Sequence, residues 1–350
     1  MNSTIDLIPI SSKTHLNKET ESERPVESER PVESETPVEP ETPDEHLNDT
    51  TTDKEQETLV EHCSSIDTEP EITIISGEFD TIVISGGSIH GFVILGALQN
   101  AYDNNLLGII TTYVGCSAGA IISYLLAIGY TPIEIVVYLC TERLLEKLKE
   151  FNILAMVNGG GATSFIHIHE HLEKMTINKL GRLITLSDLY NIYGKTLICI
   201  THNLSTNKTE ELSYKTYPDM PCLIALRMSS NLPLIFEHFK YLGNFYVDGG
   251  ISNNFPIDIG EKLGNKIIGI TLCDNNIQFN PTDNMIEYIY NLLSIQSYQI
   301  VLDKIKNVSD KSNIIMLQPD KHSFFNFNID TRTKLEMFSN GYIQMKKQLS

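Results

Sequence analysis

The stretch Gly115-Cys116-Ser117-Ala118-Gly119 has the form G-x-S-x-G and lies between two apolar runs. The first run covers 108–114 and predicts a strand, and the second covers 120–128 and predicts a helix. A serine on such a strand-to-helix turn forms a nucleophile elbow, because the glycines permit a sharp backbone and leave room over Oγ. The dipoles of the new helix favour negative charge at its first residue. Ser117 is therefore the candidate nucleophile, and a plain turn without chemistry is the alternative.

Strands and helices alternate along the chain after residue 79. Short β-branched runs predict strands at 80–85, 109–114, 196–201, 211–215, 244–247, 266–272 and 313–317. Amphipathic segments predict helices at 92–105, 118–128, 165–180, 187–192, 285–308, 333–348 and one that starts at Thr131-Pro132. This alternation predicts an α/β fold in which helices cover both faces of a mostly parallel sheet.

The acidity of the chain is concentrated in its first residues. The net charge is -19 over 350 residues, and residues 1–78 carry 21 Asp+Glu against 5 Lys+Arg. From Glu23 the repeat ERPVES, ERPVES, ETPVEP, ETPDEH brings in proline at every sixth position, which blocks helices and sheet ladders. We therefore predict a disordered acidic tail over 1–75 and one folded domain over 79–349. The nearly neutral remainder has no basic stripe, so no nucleic-acid partner is expected.

The cysteines and the apolar segments indicate the compartment. None of the six cysteines forms a C-x-x-C pair and most lie in apolar runs, which predicts reduced thiols. Residues 1–18 lack the cationic start and apolar core of a secretory signal. The most apolar stretch, 118–140, is broken by Gly129, Pro132 and Glu134, so it predicts two packed helices rather than a membrane span. We expect an intracellular, cytoplasmic protein without a signal peptide or a transmembrane helix.

A glycine-rich turn after the first predicted strand is the candidate oxyanion hole. It reads Gly86-Gly87-Ser88-Ile89-His90-Gly91, and the backbone amides of Gly86, Gly87, Ser88 and Gly91 can point inward there. A dinucleotide site would need a glycine at position 88 and an acidic residue about twenty residues further on, which this chain lacks. A phosphate-binding P-loop is excluded, because no Gly-Lys-Ser/Thr follows.

Asp248 is the candidate base. It follows the predicted strand 244–247, and Gly249 and Gly250 then form a tight turn that presents its carboxylate. A Ser-Asp-His triad would need a histidine after the acid, and only His322 follows, in a polar stretch typical of a surface. The simplest interpretation is a Ser117–Asp248 dyad, with a serine activated by an adjacent base. On spacing alone, a turn carboxylate that caps backbone amides stays open as the alternative.

The run His167-Ile168-His169-Glu170-His171 invites a metal interpretation. His167 and His171 are four residues apart and share one helical face, but no partner ligand of familiar spacing and no H-E-x-x-H accompanies them. We therefore expect a solvated helix face, with neither a metal nor an organic cofactor in the protein.

Four motifs together resemble the patatin-like phospholipase family. They are SGGSIHG at 85–91, GCSAG at 115–119, ALRMSSNLPLIFEH at 225–238 and YVDGGISNNFP at 246–256. The third carries the family's Ser-Ser-x-x-Pro-x-x-Phe pattern at Ser229, Ser230, Pro233 and Phe236. The resemblance covers roughly 79–349 and is weakest at 151–186 and after 274. It implies a three-layer α/β/α domain in which Ser117 is the nucleophile and Asp248 the proton acceptor.

The resemblance also implies an activity. A serine lipid acyl hydrolase, which is a carboxylic ester hydrolase, would cleave fatty acyl esters of phospholipids or glycerolipids through an acyl-enzyme. It would bind a lipid substrate and make peripheral contact with a membrane. The sequence gives no indication of protein partners. An acyltransferase with the same dyad and a weakened lipid-binding protein are the alternatives. The chain departs from the family at Ser88, where a third glycine is usual, and at His90, where an arginine or lysine is usual.

Overall fold

One eight-stranded sheet organises the part of the chain that a computed structural model describes, namely residues 79–142, 144–148, 152, 156, 161–273, 285–319 and 326–349. The strands are β1 (Thr81–Ile84), β2 (Thr112–Cys116), β3 (Thr196–Asn203), β4 (Lys208–Leu212), β5 (Phe239–Tyr241), β6 (Asn244–Asp248), β7 (Ile267–Leu272) and β8 (Ser312–Leu317). Hydrogen-bonded neighbours follow the path β5-β6-β3-β2-β1-β7-β8, and β4 also pairs with β3. The five strands from β3 to β8 in this order run parallel, whereas β4, β5 and β6 are antiparallel to their partners. The predicted mostly parallel sheet is confirmed.

The helices match the predicted ones at most positions. They are α1 (Gly91–Asp103), α2 (Ala118–Ala127), α3 (Pro132–Thr141), α4 (Leu144–Lys147), α5 (Ile166–Leu180), α6 (Leu186–Tyr193), α7 (Cys222–Ser229), α8 (Gly250–Asn253), α9 (Ile257–Leu263), α10 (Met285–Lys306) and α11 (Thr331–Leu349). The sequence patterns missed α4, α7, α8, α9 and β5. Strand β2 begins at Thr112 rather than at 109, and β4 covers Lys208–Leu212 rather than 211–215.

The core lies in two layers, one on each face of the sheet. Successive side chains of a strand point to opposite faces, and β1 illustrates this directly. Ile82 and Ile84 belong to the larger apolar cluster, which includes residues of α1 and α2. Val83 belongs to the smaller cluster, which includes residues of α9 and α10. The predicted three-layer α/β/α architecture is therefore confirmed.

Some of the predictions fall outside the described residues. The acidic tail over 1–75 and the surface position of His322 are among them, and the division into a tail and a domain over 79–349 stays a prediction. None of the five cysteines in the described segments is in a disulfide. In the same segments no single helix has the length and apolar composition needed to cross a membrane; α2 and α3 pass that test only as a pair bent by 117°.

Candidate active site

Ser117 occupies a strained turn between β2 and α2. Its backbone has φ 55° and ψ -127°, a left-handed conformation that a non-glycine residue adopts only when its surroundings enforce it. The Ser117 amide donates to Oγ of Ser229 at 3.1 Å, and Ser229 Oγ donates to the Ile200 carbonyl at 2.6 Å. A Cβ at Gly119 would collide with the carbonyl oxygens of Ile84 and Ser85, so the helix can start here only with glycine at this position. The predicted sharp strand-to-helix turn is thus observed, with the candidate nucleophile Ser117 at its apex.

The sheet register brings Asp248 to the same place. On β3, β2 pairs with Thr196–Ile200 and β4 with Cys199–Asn203, so these two strands lie on opposite edges. Because β6 pairs with Thr201–Asn203, where β4 already occupies one edge, β6 must continue the edge of β2. The last residue of β2 faces Ile200 and Asp248 faces Thr201, which is the next position. The two strands therefore meet end to end. This brings Ser117, the residue after β2, towards Asp248, the last residue of β6.

The carboxylate of Asp248 is almost completely buried, with 3% of its surface exposed. Its Oδ1 accepts a hydrogen bond from the Gly250 amide at 2.7 Å, whereas Oδ2 is buried without a hydrogen-bond partner among the described residues. Burial raises the pKa of Asp248 from 3.8 to about 6, while the Ser117 hydroxyl and the Gly250 amide act in the opposite direction. A carboxylate in this state can accept a proton near neutral pH.

Only part of the glycine-rich loop can bind an oxyanion. The Gly86 amide donates to the Asn254 carbonyl at 3.1 Å, and the Gly91 amide donates to the Ser88 carbonyl. The amides of Gly87 and Ser88 donate to no group within the described part of the chain. The amide of Ala118, the first residue of α2, belongs to the helix terminus that lacks intrahelical acceptors. Gly87, Ser88 and Ala118 are therefore the available donors, and Gly86 and Gly91 instead fix the loop.

The two departures from the family pattern have different surroundings. Ser88 has φ 47°, so the position that is usually glycine keeps a left-handed backbone in this chain. Its Oγ is buried and makes no hydrogen bond to the described residues. His90 is fully buried in the turn between β1 and α1. The loop therefore keeps the backbone shape of a glycine at position 88, and position 90 faces the interior.

Replacing Ser88 with glycine is expected to stabilise the protein by roughly 1 kcal/mol and to leave ester hydrolysis within about threefold of the parent. Glycine removes the left-handed strain and an unpaired buried hydroxyl, which together outweigh the extra entropy of the unfolded chain. Chemical denaturation and steady-state rates check this. Ser88→Ala is the matched control, since it removes the hydroxyl but keeps the strain. A tenfold loss of rate in both variants would contradict a purely backbone role for Ser88.

A buried cation supports the strand end that carries Asp248. Arg227 lies over the Phe165 ring at 4.4 Å and donates to Oδ1 of Asn231 at 2.6 Å. Asn231 in turn donates to the Tyr246 carbonyl at 2.7 Å and accepts the Asp248 amide at 2.9 Å. Burial lowers the pKa of Arg227 to about 10, so the guanidinium stays charged at neutral pH. Sequence reasoning missed both residues, although they flank the Ser229-Ser230 pair that it had noted.

Two cavities open on either side of Ser117. The first cavity has a volume of about 140 Å³ and is lined almost wholly by apolar side chains. It follows one face of α2 from Ala118 to Leu125, about 10 Å along the helix axis. The second cavity has a volume of about 150 Å³, is more polar and is lined in part by Asp248. The residues shared by both cavities are Ser88, Ser117 and Leu232, so the candidate nucleophile stands at their junction.

The histidine run on α5 has no metal-like arrangement. His171 is buried with 6% exposed, so the expected solvated face is wrong for this residue. Its Nδ1 lies 3.0 Å from the Tyr138 hydroxyl, its Nε2 lies 3.2 Å from Lys147 Nζ, and it lines the apolar cavity. Across the described segments, no three His, Cys, Asp or Glu side chains are grouped so as to hold a metal ion.

Comparisons with known proteins identify the family through a family model and give several relatives. The model of the patatin-like phospholipase family matches residues 82–260. A probable lipid hydrolase of Invertebrate iridescent virus 6 is 39% identical over 194 residues, which are 54% of this chain and 65% of that protein. An uncharacterized protein of Acanthamoeba polyphaga mimivirus is 28% identical over 288 residues, which are 79% of this chain and 95% of that protein. The solved structure of VipD from Legionella pneumophila covers 78% of this chain and 67% of its own, with 16% identity and a TM-score of 0.48.

Proposed function

Because the chain belongs to the patatin-like phospholipase family, we propose that it hydrolyses fatty acyl esters of phospholipids or glycerolipids with a Ser117–Asp248 dyad. The observation that carries this proposal is the convergence of the strained Ser117 elbow with a buried carboxylate whose pKa is about 6. A hydroxyl needs a base before it can attack an ester, and Asp248 offers an unpartnered oxygen for that proton among the described residues.

In the first half-reaction, Ser117 Oγ attacks the ester carbonyl while its proton passes to Asp248. The negative charge that forms on the carbonyl oxygen is stabilised by the amides of Gly87, Ser88 and Ala118. The N-terminus of α2 adds a favourable dipole at this point. Collapse of the tetrahedral intermediate breaks the ester bond, and the departing alcohol takes the proton from Asp248. The acyl chain then remains as an ester on Ser117.

The second half-reaction releases the acid. Water gives a proton to Asp248 and attacks the acyl carbonyl, and the same amides stabilise the second oxyanion. Collapse expels Ser117 Oγ, which takes the proton back. The products are a fatty acid and the regenerated enzyme, so each group returns to its starting protonation state and no cofactor enters the balance.

The two cavities divide the substrate between them. The apolar cavity along α2 fits the acyl chain, because burying methylene groups there removes them from water at about 0.8 kcal/mol each. The more polar cleft beside Asp248 fits the alcohol part of the ester. Since such a substrate resides in a membrane or a lipid particle, the enzyme would meet it at a lipid surface.

Trapping the acyl-enzyme tests the proposal. The full chain is mixed with an activated fatty acyl ester, quenched in acid within the first turnover, digested and analysed by mass spectrometry. We expect the mass of the acyl group on the peptide that contains Ser117. Hydrolysis without any acylated peptide would argue for direct attack by water, and acylation of another residue would move the nucleophile. Adding a lipid alcohol as acceptor separates transfer from hydrolysis by the product formed.

The rate of hydrolysis is expected to depend on the ionisation of Asp248. Only the ionised carboxylate accepts the serine proton, so kcat/KM should fall about tenfold per pH unit below the pKa of about 6 and level off above it. A soluble monomeric ester is the proper substrate, because it removes the effect of pH on lipid surfaces. A profile that is flat between pH 4.5 and 8 would exclude Asp248 as the base.

A further inference from the structure

Helix α10 carries an unusual uncharged stretch. The fifteen residues from Tyr288 to Leu302 include no Asp, Glu, Lys, Arg or His, although 20% of the whole chain is charged. At that average, a stretch of this length would hold about three charges. Charged residues return only at Asp303, Lys304 and Lys306, at the end of the helix. A helix that was simply a solvated surface would carry charges along its outer face.

The outer face of α10 is apolar and exposed. Tyr288, Leu292 and Ile295 are 44%, 51% and 52% exposed, and their spacing of four and three residues places them on one stripe of the helix. Leu293 at the margin of this stripe is 40% exposed. We call these four residues the α10 stripe. Single exposed apolar residues are ordinary on protein surfaces, but four on two adjacent turns form a contiguous patch.

The opposite face of α10 forms a wall of the cleft that contains Asp248. Ser294, Ser297 and Val301 line that cleft together with Ser117 and Asp248. The Ser297 hydroxyl donates to the Gly250 carbonyl at 2.7 Å, two residues beyond Asp248. Lys304 donates to Asn253 at 2.6 Å and also pairs with Asp258. The helix is therefore fixed to the turn that carries Asp248. Tyr288, Leu292 and Ile295 of the stripe lie on the side of α10 away from the cleft, whereas Leu293 also lines the cleft itself.

We infer that the α10 stripe is the surface by which this protein docks on a neutral lipid interface, and the inference rests on the proposed lipid hydrolysis. The argument for this occupant is the continuity between the stripe and the cleft, since one helix supplies both. A lipid drawn from an interface in contact with the stripe needs to cross only the width of α10 to reach Ser117. The absence of charge on the stretch fits an uncharged interface, and it gives no basis for attraction to anionic headgroups.

The charge of the protein predicts which lipid surfaces it should prefer. The full chain has a net charge of -19, of which -16 lies in residues 1–78, and neither part attracts an anionic surface, so we expect docking to come from burial of apolar side chains. Binding is therefore expected to be strongest on vesicles of phosphatidylcholine alone. It should weaken as phosphatidylserine is added, and raising the salt concentration should restore it by screening the repulsion.

The test compares two double variants of the full chain. Leu292→Ser with Ile295→Ser removes the centre of the α10 stripe without touching a residue that lines the cleft. Ile192→Ser with Ile343→Ser is the matched control, because these residues are 58% and 48% exposed and line neither cavity. Binding to phosphatidylcholine vesicles is measured by flotation, and activity is measured on those vesicles and on a soluble monomeric ester.

The stripe variant is expected to lose at least tenfold in vesicle binding and in vesicle activity, with an unchanged rate on the soluble ester. The control variant should match the parent in all three assays. Equal vesicle binding by both variants would overturn the inference, as would binding that requires anionic lipid. Loss of the soluble activity in the stripe variant would show that these side chains support the cleft instead. A parent without activity on any ester, but with stripe-dependent binding, would refute the proposed hydrolysis and leave the docking surface standing.

Discussion

Replacing Ser117 with alanine is expected to abolish ester hydrolysis and labelling by a fluorophosphonate, with a loss of roughly 10⁴-fold or more in turnover. The change removes the atom that forms the acyl bond, and water alone cannot use the oxyanion amides to the same effect. Folding should persist, because Gly119 and the hydrogen bond from the Ser117 amide to Ser229 hold the elbow through backbone groups. Rates, labelling and a melting curve on the same preparation check all three statements.

Ser230→Ala is the matched control for this experiment. Ser230 is also buried, its Oγ makes no hydrogen bond to the described residues, and it lines the apolar cavity with Ser117. It lacks the elbow conformation, since it follows the last residue of α7 with φ -110°. The control should label and turn over like the parent. Labelling that persists in Ser117→Ala and disappears in Ser230→Ala would show that Ser230, rather than Ser117, is the nucleophile.

The elbow could be predicted from the sequence because its causes are local. Two glycines and a serine between a strand-like and a helix-like run define the turn, and the structure needs those glycines for close backbone contacts. Asp248 could also be singled out from the sequence as the candidate base, since it is followed by two glycines at the end of a strand. What the sequence did not reveal is why the two meet. That depends on β6 sharing an edge of β3 with β2, a pairing between segments far apart in the chain.

The supporting residues were missed for a different reason. Helix α7 has only eight residues, and a short apolar run fits a strand as well as a helix. Without that helix, nothing places Ser229 under the Ser117 amide or Arg227 beside Asn231. The oxyanion loop shows the same limit. Its glycines identified the loop. The hydrogen bond from the Gly86 amide to the Asn254 carbonyl, however, is a tertiary contact that no local sequence pattern encodes.

Replacing Asp248 with asparagine is expected to lower turnover by about a thousandfold or more and, at pH 8, to make the folded protein more stable. The loss of rate follows from the loss of the base in the dyad. The gain in stability follows from the raised pKa. The shift from 3.8 to about 6 corresponds to roughly 3 kcal/mol by which burial disfavours the ionised form. Asparagine is neutral at every pH and keeps an oxygen for the Gly250 amide.

The sign of this effect can be followed with pH. Because the folded-state pKa lies above the unfolded value, the folded parent gains from a protonated Asp248 below about pH 4 and loses this contribution as the pH rises through about 6. The stability difference between variant and parent should therefore be small at pH 4 and reach about 1–3 kcal/mol at pH 8. The lower values arise if the new amide NH₂ stays unpaired.

Asp303→Asn is the control, since that side chain is 73% exposed and should change neither rate nor stability. A variant that is less stable than the parent at pH 8 would mean that the ionised carboxylate is favoured in the fold. A stabilised but inactive variant would instead show that the buried charge is kept for chemistry, at the expense of stability.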